Sequence, residues 1–180
     1  MKRWAAFLMA GLVATVAAQA ADQSGRFAAV GYDDDQEARG WQELEIEPPP
    51  FPTPANLREF YVSAVATNKY FVDASTLAVG DDGIVRYVLV VKTSGGATNV
   101  SFEGIHCKEF SWKHFATGGN DGTWTKARGG RNPWRPIENK PVNRYHAALS
   151  REFFCPMGTP INTADEGRDA LRLGKHPDSN

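Results

Sequence analysis

The chain has 180 residues, with 20 lysines and arginines against 21 aspartates and glutamates and a formal net charge of −1. Nothing in that balance draws nucleic acid or an anionic membrane surface. The length supports one ordinary hydrophobic core and not two.

The first element is "MKRWAAFLMAGLVATVAAQA": Lys2 and Arg3, an apolar run from Trp4 to Ala18, then small residues flanking Gln19. This is the three-part pattern of a secretory signal peptide, residues 1–20, with expected cleavage after Ala20. The run is short for a membrane span, so the mature chain is expected to be periplasmic and without a transmembrane segment. Residues 21–40 follow as a flexible acidic segment with no apolar period. Within it Asp33, Asp34 and Asp35 are adjacent, not spaced as a calcium loop requires. Residues 41–56, "WQELEIEPPPFPTPAN", form a proline-rich arm with an extended path and few backbone donors. Trp41 and Phe51 are its expected anchors on the domain surface.

From Leu57 the pattern turns strand-like: "LREFYVSAV", "KYFVDAS", "GIVRYVLVV", "TNVSFEGIHC" and "EFSWKHFAT". The spacers, among them Thr67-Asn68, Gly80-Asp81-Asp82-Gly83 and Gly95-Gly96, are turn chemistry. Short connections imply antiparallel pairing. Beyond an irregular stretch, Val142, Tyr145, Leu149 and Phe153 recur at near helical spacing. A last helix is announced by the capping-box spacing of Thr163 and Glu166 and closed by Gly174, with Pro177 beyond. The expected fold class is α+β: one domain over 57–175, an antiparallel meander of about five strands with one or two C-terminal helices.

Taken as a two-residue loop, Gly95-Gly96 sets Leu89 opposite Phe102, Tyr87 opposite Gly104 and Val85 opposite His106. Tyr87 would then cover the bare backbone of Gly104. Arg86 and Glu103 would share the other face, diagonally paired, and are expected to form a structural ion pair. Apolar residues on both faces of "IVRYVLVV" place this hairpin mid-sheet, covered on both sides.

"SFEGIHC" gathers Glu103, His106 and Cys107, a combination open to a thiol with its base, a metal site or half of a disulfide. His106 and Cys107 point to opposite faces of a regular strand, and Glu103 lies roughly 13 Å from Cys107 along it. An exported compartment is oxidising, and Cys155 is the one intramolecular partner, so a Cys107–Cys155 disulfide clamping the helical region to the hairpin is the expectation.

"WQE" at 41–43, "PPPFP" at 48–52, "VDASTLAVGDDGIVRYVLV" at 72–90, "SGGATNVSFEGIHC" at 94–107, Trp124, "WRPI" at 134–137 and "HAALSREFFC" ending at Cys155 resemble the cryptic neisserial protein-like family of small exported proteobacterial proteins. The resemblance runs from Trp41 to Cys155 and is most specific over 73–107. It implies export, carries no established activity, and includes both cysteines. In the family pattern the position of His106 is commonly arginine, so the resemblance assigns that imidazole no shared role.

No zinc spacing joins His114, His146 or His176 to another ligand, and no nucleophile elbow, phosphate loop or dinucleotide fingerprint appears. Neither a metal, a cofactor nor a catalytic residue is therefore assigned. The stretch "WTKARGGRNPWRPI" combines Trp124, Lys126, Arg128, Arg131, Trp134 and Arg135 in a region without regular structure. That mixture suits an anionic or glycan ligand, or a partner protein, through stacking and charge. The expected function is a non-catalytic binding or interaction module of the cell envelope. The competing reading is a hydrolase of an envelope polymer, with Glu103, Arg86 and His146 as candidates, or a carboxylate pair drawn from Glu103, Glu109 and Asp73. A cleft converging on Glu103 with its pKa raised would favour the enzyme; Glu103 neutralised by Arg86 in a closed core would favour the module.

Overall fold

Among the described residues, alternation and turn chemistry produce eight antiparallel strands: β1 (Leu57–Phe60), β2 (Lys69–Asp73), β3 (Ala78–Val79), β4 (Ile84–Lys92), β5 (Thr98–His106), β6 (Ser111–Gly118), β7 (Trp124–Lys126) and β8 (Arg135–Pro136). They form one sheet in the order β1-β2-β4-β5-β6-β7, with β3 beside β4 and β8 beside β6. The five long strands are those the sequence pattern marks. The other three are two or three residues long, too short to show a period. This computed structural model describes residues 40–128, 132–138, 140 and 144–179. The expected signal peptide, the acidic segment up to residue 39, Arg131 and Val142 lie outside the described residues.

The central hairpin corrects the expected register by one residue. Thr93 N–H donates to the Ala97 carbonyl at 2.8 Å and Gly96 N–H to Thr93 at 3.0 Å. The loop is thus three residues, Ser94-Gly95-Gly96, with Gly96 at φ 86°, a conformation that costs glycine nothing. Tyr87 now lies opposite Glu103, and Arg86 opposite Gly104. Such a slip decides which side chains share a face, and Arg86 and Glu103 end on opposite faces. The expected ion pair between them does not form; Arg86 Nη2 instead meets Asp82 Oδ2 at 2.5 Å. Gly104 is covered not by Tyr87 but by Phe115 and Ile84, whose side chains would stand 2.8 and 2.9 Å from an added Cβ.

One sheet face carries Val85, Tyr87, Leu89 and Ile105 and is covered by the C-terminal helices. Helix α1 (Arg144–Ala148) runs into a π-helical turn, Leu149–Phe154, whose i→i+5 bond is Cys155 N–H to Ser150 at 2.8 Å. Helix α2 (Ala164–Leu173) starts at Thr163, whose hydroxyl accepts from Glu166 N–H, and ends at Gly174 with φ 85°. Leu149, Phe153, Phe154 and Leu171 enter the core beneath them; burying each such side chain contributes about 1.5–3 kcal/mol. Cys107 and Cys155 form a disulfide that ties the end of β5 to the end of the π turn.

The opposite face is covered by the arm, and from Trp41 onward the chain forms one compact unit. Phe51 packs on Trp124 with ring centroids 5.2 Å apart, and its ring fills the space over Gly118. Trp124 Nε1 donates to Pro49 O at 2.8 Å. Further along, Trp41 Nε1 donates to Asp82 O at 2.9 Å, and Leu44 N–H to Asp82 Oδ2 at 2.9 Å. Glu43 accepts from Lys113 Nζ at 2.7 Å and from Trp134 Nε1 at 3.0 Å. Replacing Glu43 with alanine removes the acceptor of both; we expect a loss of about 2 kcal/mol and faster proteolytic cleavage within 41–50, read by timed digestion and mass spectrometry.

Candidate functional site

Two sites attract attention, one closed and one open. The closed one centres on Glu103, which is 3% exposed. A bulge in β6 sets His114 opposite Glu103 and Ala116 opposite Phe102, leaving Phe115 as the extra residue. Tyr87 arrives from β4 and His146 from α1. Glu103 Oε2 accepts from His146 Nε2 at 2.9 Å and from the Tyr87 hydroxyl at 3.3 Å, while Oε1 accepts from Ser101 Oγ at 2.7 Å. His114 Nδ1 stands 4.0 Å from Oε1, near enough for attraction and too far for a hydrogen bond. His146 is sandwiched between Trp112, at a centroid distance of 3.7 Å, and Tyr145, at 4.1 Å.

Burial by itself would raise the Glu103 pKa, but His114, His146 and Ser101 together pull it down to about 2. Burial first, then the adjacent Glu103 carboxylate, push the Tyr87 hydroxyl well above the usual tyrosine range. A general base needs a pKa near the working pH and contact with substrate; Glu103 is a weak base that already accepts three hydrogen bonds inside the core. Neither cleft described below is lined by Glu103, Arg86 or His146.

Of the hydrolase candidates, then, the structure joins Glu103 to His146 and separates both from Arg86. Arg86 lies on the arm side, 1% exposed, bidentate to Asp82 and donating to Leu44 O at 3.3 Å. Burial would raise the Asp82 pKa, yet hydrogen bonds from Arg86 and Leu44 hold it below the usual range. Asp73 accepts from Ser75 N–H and Oγ in its own turn, and Glu109 is exposed. Among the described residues no group of three or more histidines, cysteines or acids is placed to hold a metal ion, and no helix is long and apolar enough to cross a membrane.

The basic and aromatic stretch divides by position. Trp124 and Lys126 hold the arm, through Pro49 and through a Lys126–Glu47 ion pair. Arg128 is exposed, and the Arg135 guanidinium lies 5.3 Å over the Trp112 ring. Trp134 belongs to the open site, a cleft of about 420 Å³ lined by Trp41, His106, Glu109, Ser111, Trp134 and Pro136. Trp41 stacks on His106 at 4.9 Å and meets Trp134 edge-on at 6.0 Å. Both indole N–H groups are bonded inside the protein, which fixes the rings. Trp41 remains 47% exposed. Ser111 Oγ is shielded from solvent and has no partner among the described residues. Burial lowers the His106 pKa, so the imidazole is neutral near pH 7. Sequence reading treats Trp41 as an anchor and weighs His106 only as a base for Cys107 or a metal ligand. No local signal joins them, since the arm's path across the sheet is what brings them together.

A family model described as the CNP1-like family matches residues 36–172. The chain is similar to Cryptic neisserial protein 1 of Neisseria gonorrhoeae, 28% identical over 144 residues that span 70% of this chain and 69% of the relative. No solved structure matches.

Proposed function

The chain belongs to the CNP1-like family, and we propose that it is an exported, non-catalytic binding module of the cell envelope, with a saccharide as the ligand of the Trp41–His106–Trp134 cleft. The observation that carries this reading is the cleft itself: two indoles fixed by internal hydrogen bonds beside a buried hydroxyl with no partner. A sugar offers an apolar ring face for an indole and hydroxyls for Ser111, Glu109 and His106, and a rigid aromatic anchor costs little entropy on binding. The basic and aromatic stretch contributes through Trp134, while Trp124 and Lys126 serve the arm. The three-part pattern of residues 1–20 and the disulfide support export. Against catalysis stands the carboxylate of Glu103, whose pKa is drawn down to about 2 in a closed core.

The test is a tryptophan-fluorescence titration of the protein from Ala21 onward with β-linked N-acetylhexosamine oligosaccharides. Trp41→Ala should weaken binding at least tenfold, and Glu109→Ala, at an exposed side chain, several-fold. Glu103→Gln should bind as the unaltered protein does. Absence of saccharide binding would sink the proposal, and so would sugar cleavage that Glu103→Gln abolishes.

A further inference from the structure

A second cleft, of about 620 Å³, opens at the other layer of the molecule, between the β1–β2 connection, α1 with its π turn, and the end of α2. Arg144, Ala148 and Arg151 line it from α1 and the π turn, at the spacing that places residues along one helical face. Gly174, with φ 85° at the C-terminus of α2, turns the chain so that Lys175 joins them. His176 N–H bolts that turn to the Glu152 carbonyl at 2.7 Å. Val62 and Phe153 supply an apolar floor, and Tyr61, 70% exposed, stands at the rim.

The charges in this groove are unbalanced. Among the described residues, Arg144, Arg151 and Lys175 face it with Glu152 as the single acid, and none of the three cations has a carboxylate within ion-pair distance. A solvated surface explains exposed cations such as Arg151 and Lys175. It does not explain Arg144 Nε, which is shielded from solvent and has no acceptor among the described residues. A shielded N–H donor without an acceptor is costly, and a guanidinium fork fits a tetrahedral oxyanion with two parallel hydrogen bonds.

We propose that this groove is a second ligand site, independent of the saccharide cleft, for a small molecule that carries a phosphate ester beside an apolar group. The ester oxygens take Arg144 Nε and Arg151, Lys175 adds charge, and the apolar part lies along Val62 and Phe153 under Tyr61. The net charge of the chain does not oppose this, because salt screens charges beyond about 8 Å and the groove supplies its own local field. The phosphate ester has two sources, a soluble metabolite or a lipid headgroup.

Both sources can be examined with the same variants. Phenyl phosphate is titrated into ¹⁵N-labelled protein and followed by NMR, and phosphatidylglycerol vesicles are compared with phosphatidylcholine vesicles by co-sedimentation. Binding should weaken at least tenfold in Arg144→Gln/Arg151→Gln and strengthen two- to fivefold in Glu152→Gln, an opposite response that a folding defect would not give. Arg151→Gln alone, at an exposed position, should fall between and keep the unaltered melting temperature. Binding of the soluble ester alone identifies a free metabolite, and binding of the anionic vesicles alone identifies a headgroup. No binding of either probe, or equal binding by the double variant, overturns the site.

Discussion

Replacing Cys107 and Cys155 together with alanine should lower the free energy of unfolding by about 4 kcal/mol, the chain-entropy value for closing a loop of 48 residues. That is a large share of the roughly 5–15 kcal/mol that holds a natural domain. The bond joins the end of β5 to the end of the π turn, so in the unfolded chain it restrains every residue of β6 to β8 and α1. Most of the loss therefore arises in the unfolded state, and the urea m-value should rise as that state expands. Equilibrium urea unfolding followed by tryptophan fluorescence reads both quantities. A free-thiol count on the unaltered protein in denaturant should give none before reductant and two after. A loss below about 1 kcal/mol would mean that the helical layer docks through Leu149, Phe153 and Phe154 alone, and that the entropy model overstates this loop.

The α+β class, the five long strands, the capped last helix and the disulfide were all legible, because each rests on local chemistry: alternation, turn residues, a Thr-x-x-Glu spacing and two cysteines. The central register was not. Gly95-Gly96 fits a two-residue loop as well as the end of a three-residue one, and only the Thr93–Ala97 pairing distinguishes them. That single residue decided the partners of Arg86 and Glu103. Arg86 took Asp82, four positions away in the preceding turn, and Glu103 took His146, 43 positions away in a helix. The open cleft was hidden for a related reason. Trp41 and His106 meet because Leu44 and Trp41 bond to Asp82, and no periodicity encodes the course of a proline-rich arm.

His146→Phe should cost about 3–5 kcal/mol at pH 7, the range for leaving one partner of a buried pair without the other. Phenylalanine keeps a flat ring between Trp112 and Tyr145, so the packing change is small and the electrostatic change is large. Glu103 would retain the Ser101 and Tyr87 hydroxyls and lose its 2.9 Å bond to His146. The pH dependence follows from the direction of the shift. In the unaltered protein the folded Glu103 pKa is about 2, below its ordinary 4.5, so its stabilisation is complete above the ordinary value. It is lost as pH falls from there through the folded pKa, a decline of roughly 3 kcal/mol. Without His146 one main cause of the lowered pKa is gone while His114 and Ser101 remain, so the folded pKa moves up toward the ordinary value and the variant loses less stability in acid. The two stability profiles should therefore converge between pH 5 and pH 2. Glu103→Gln, neutral at every pH, should already lack that contribution at pH 7, roughly 3 kcal/mol, and show no such slope. Thermal unfolding of the three proteins across that window would reveal it. A His146→Phe deficit that stays constant with pH would assign the residue to packing and remove charge from the account.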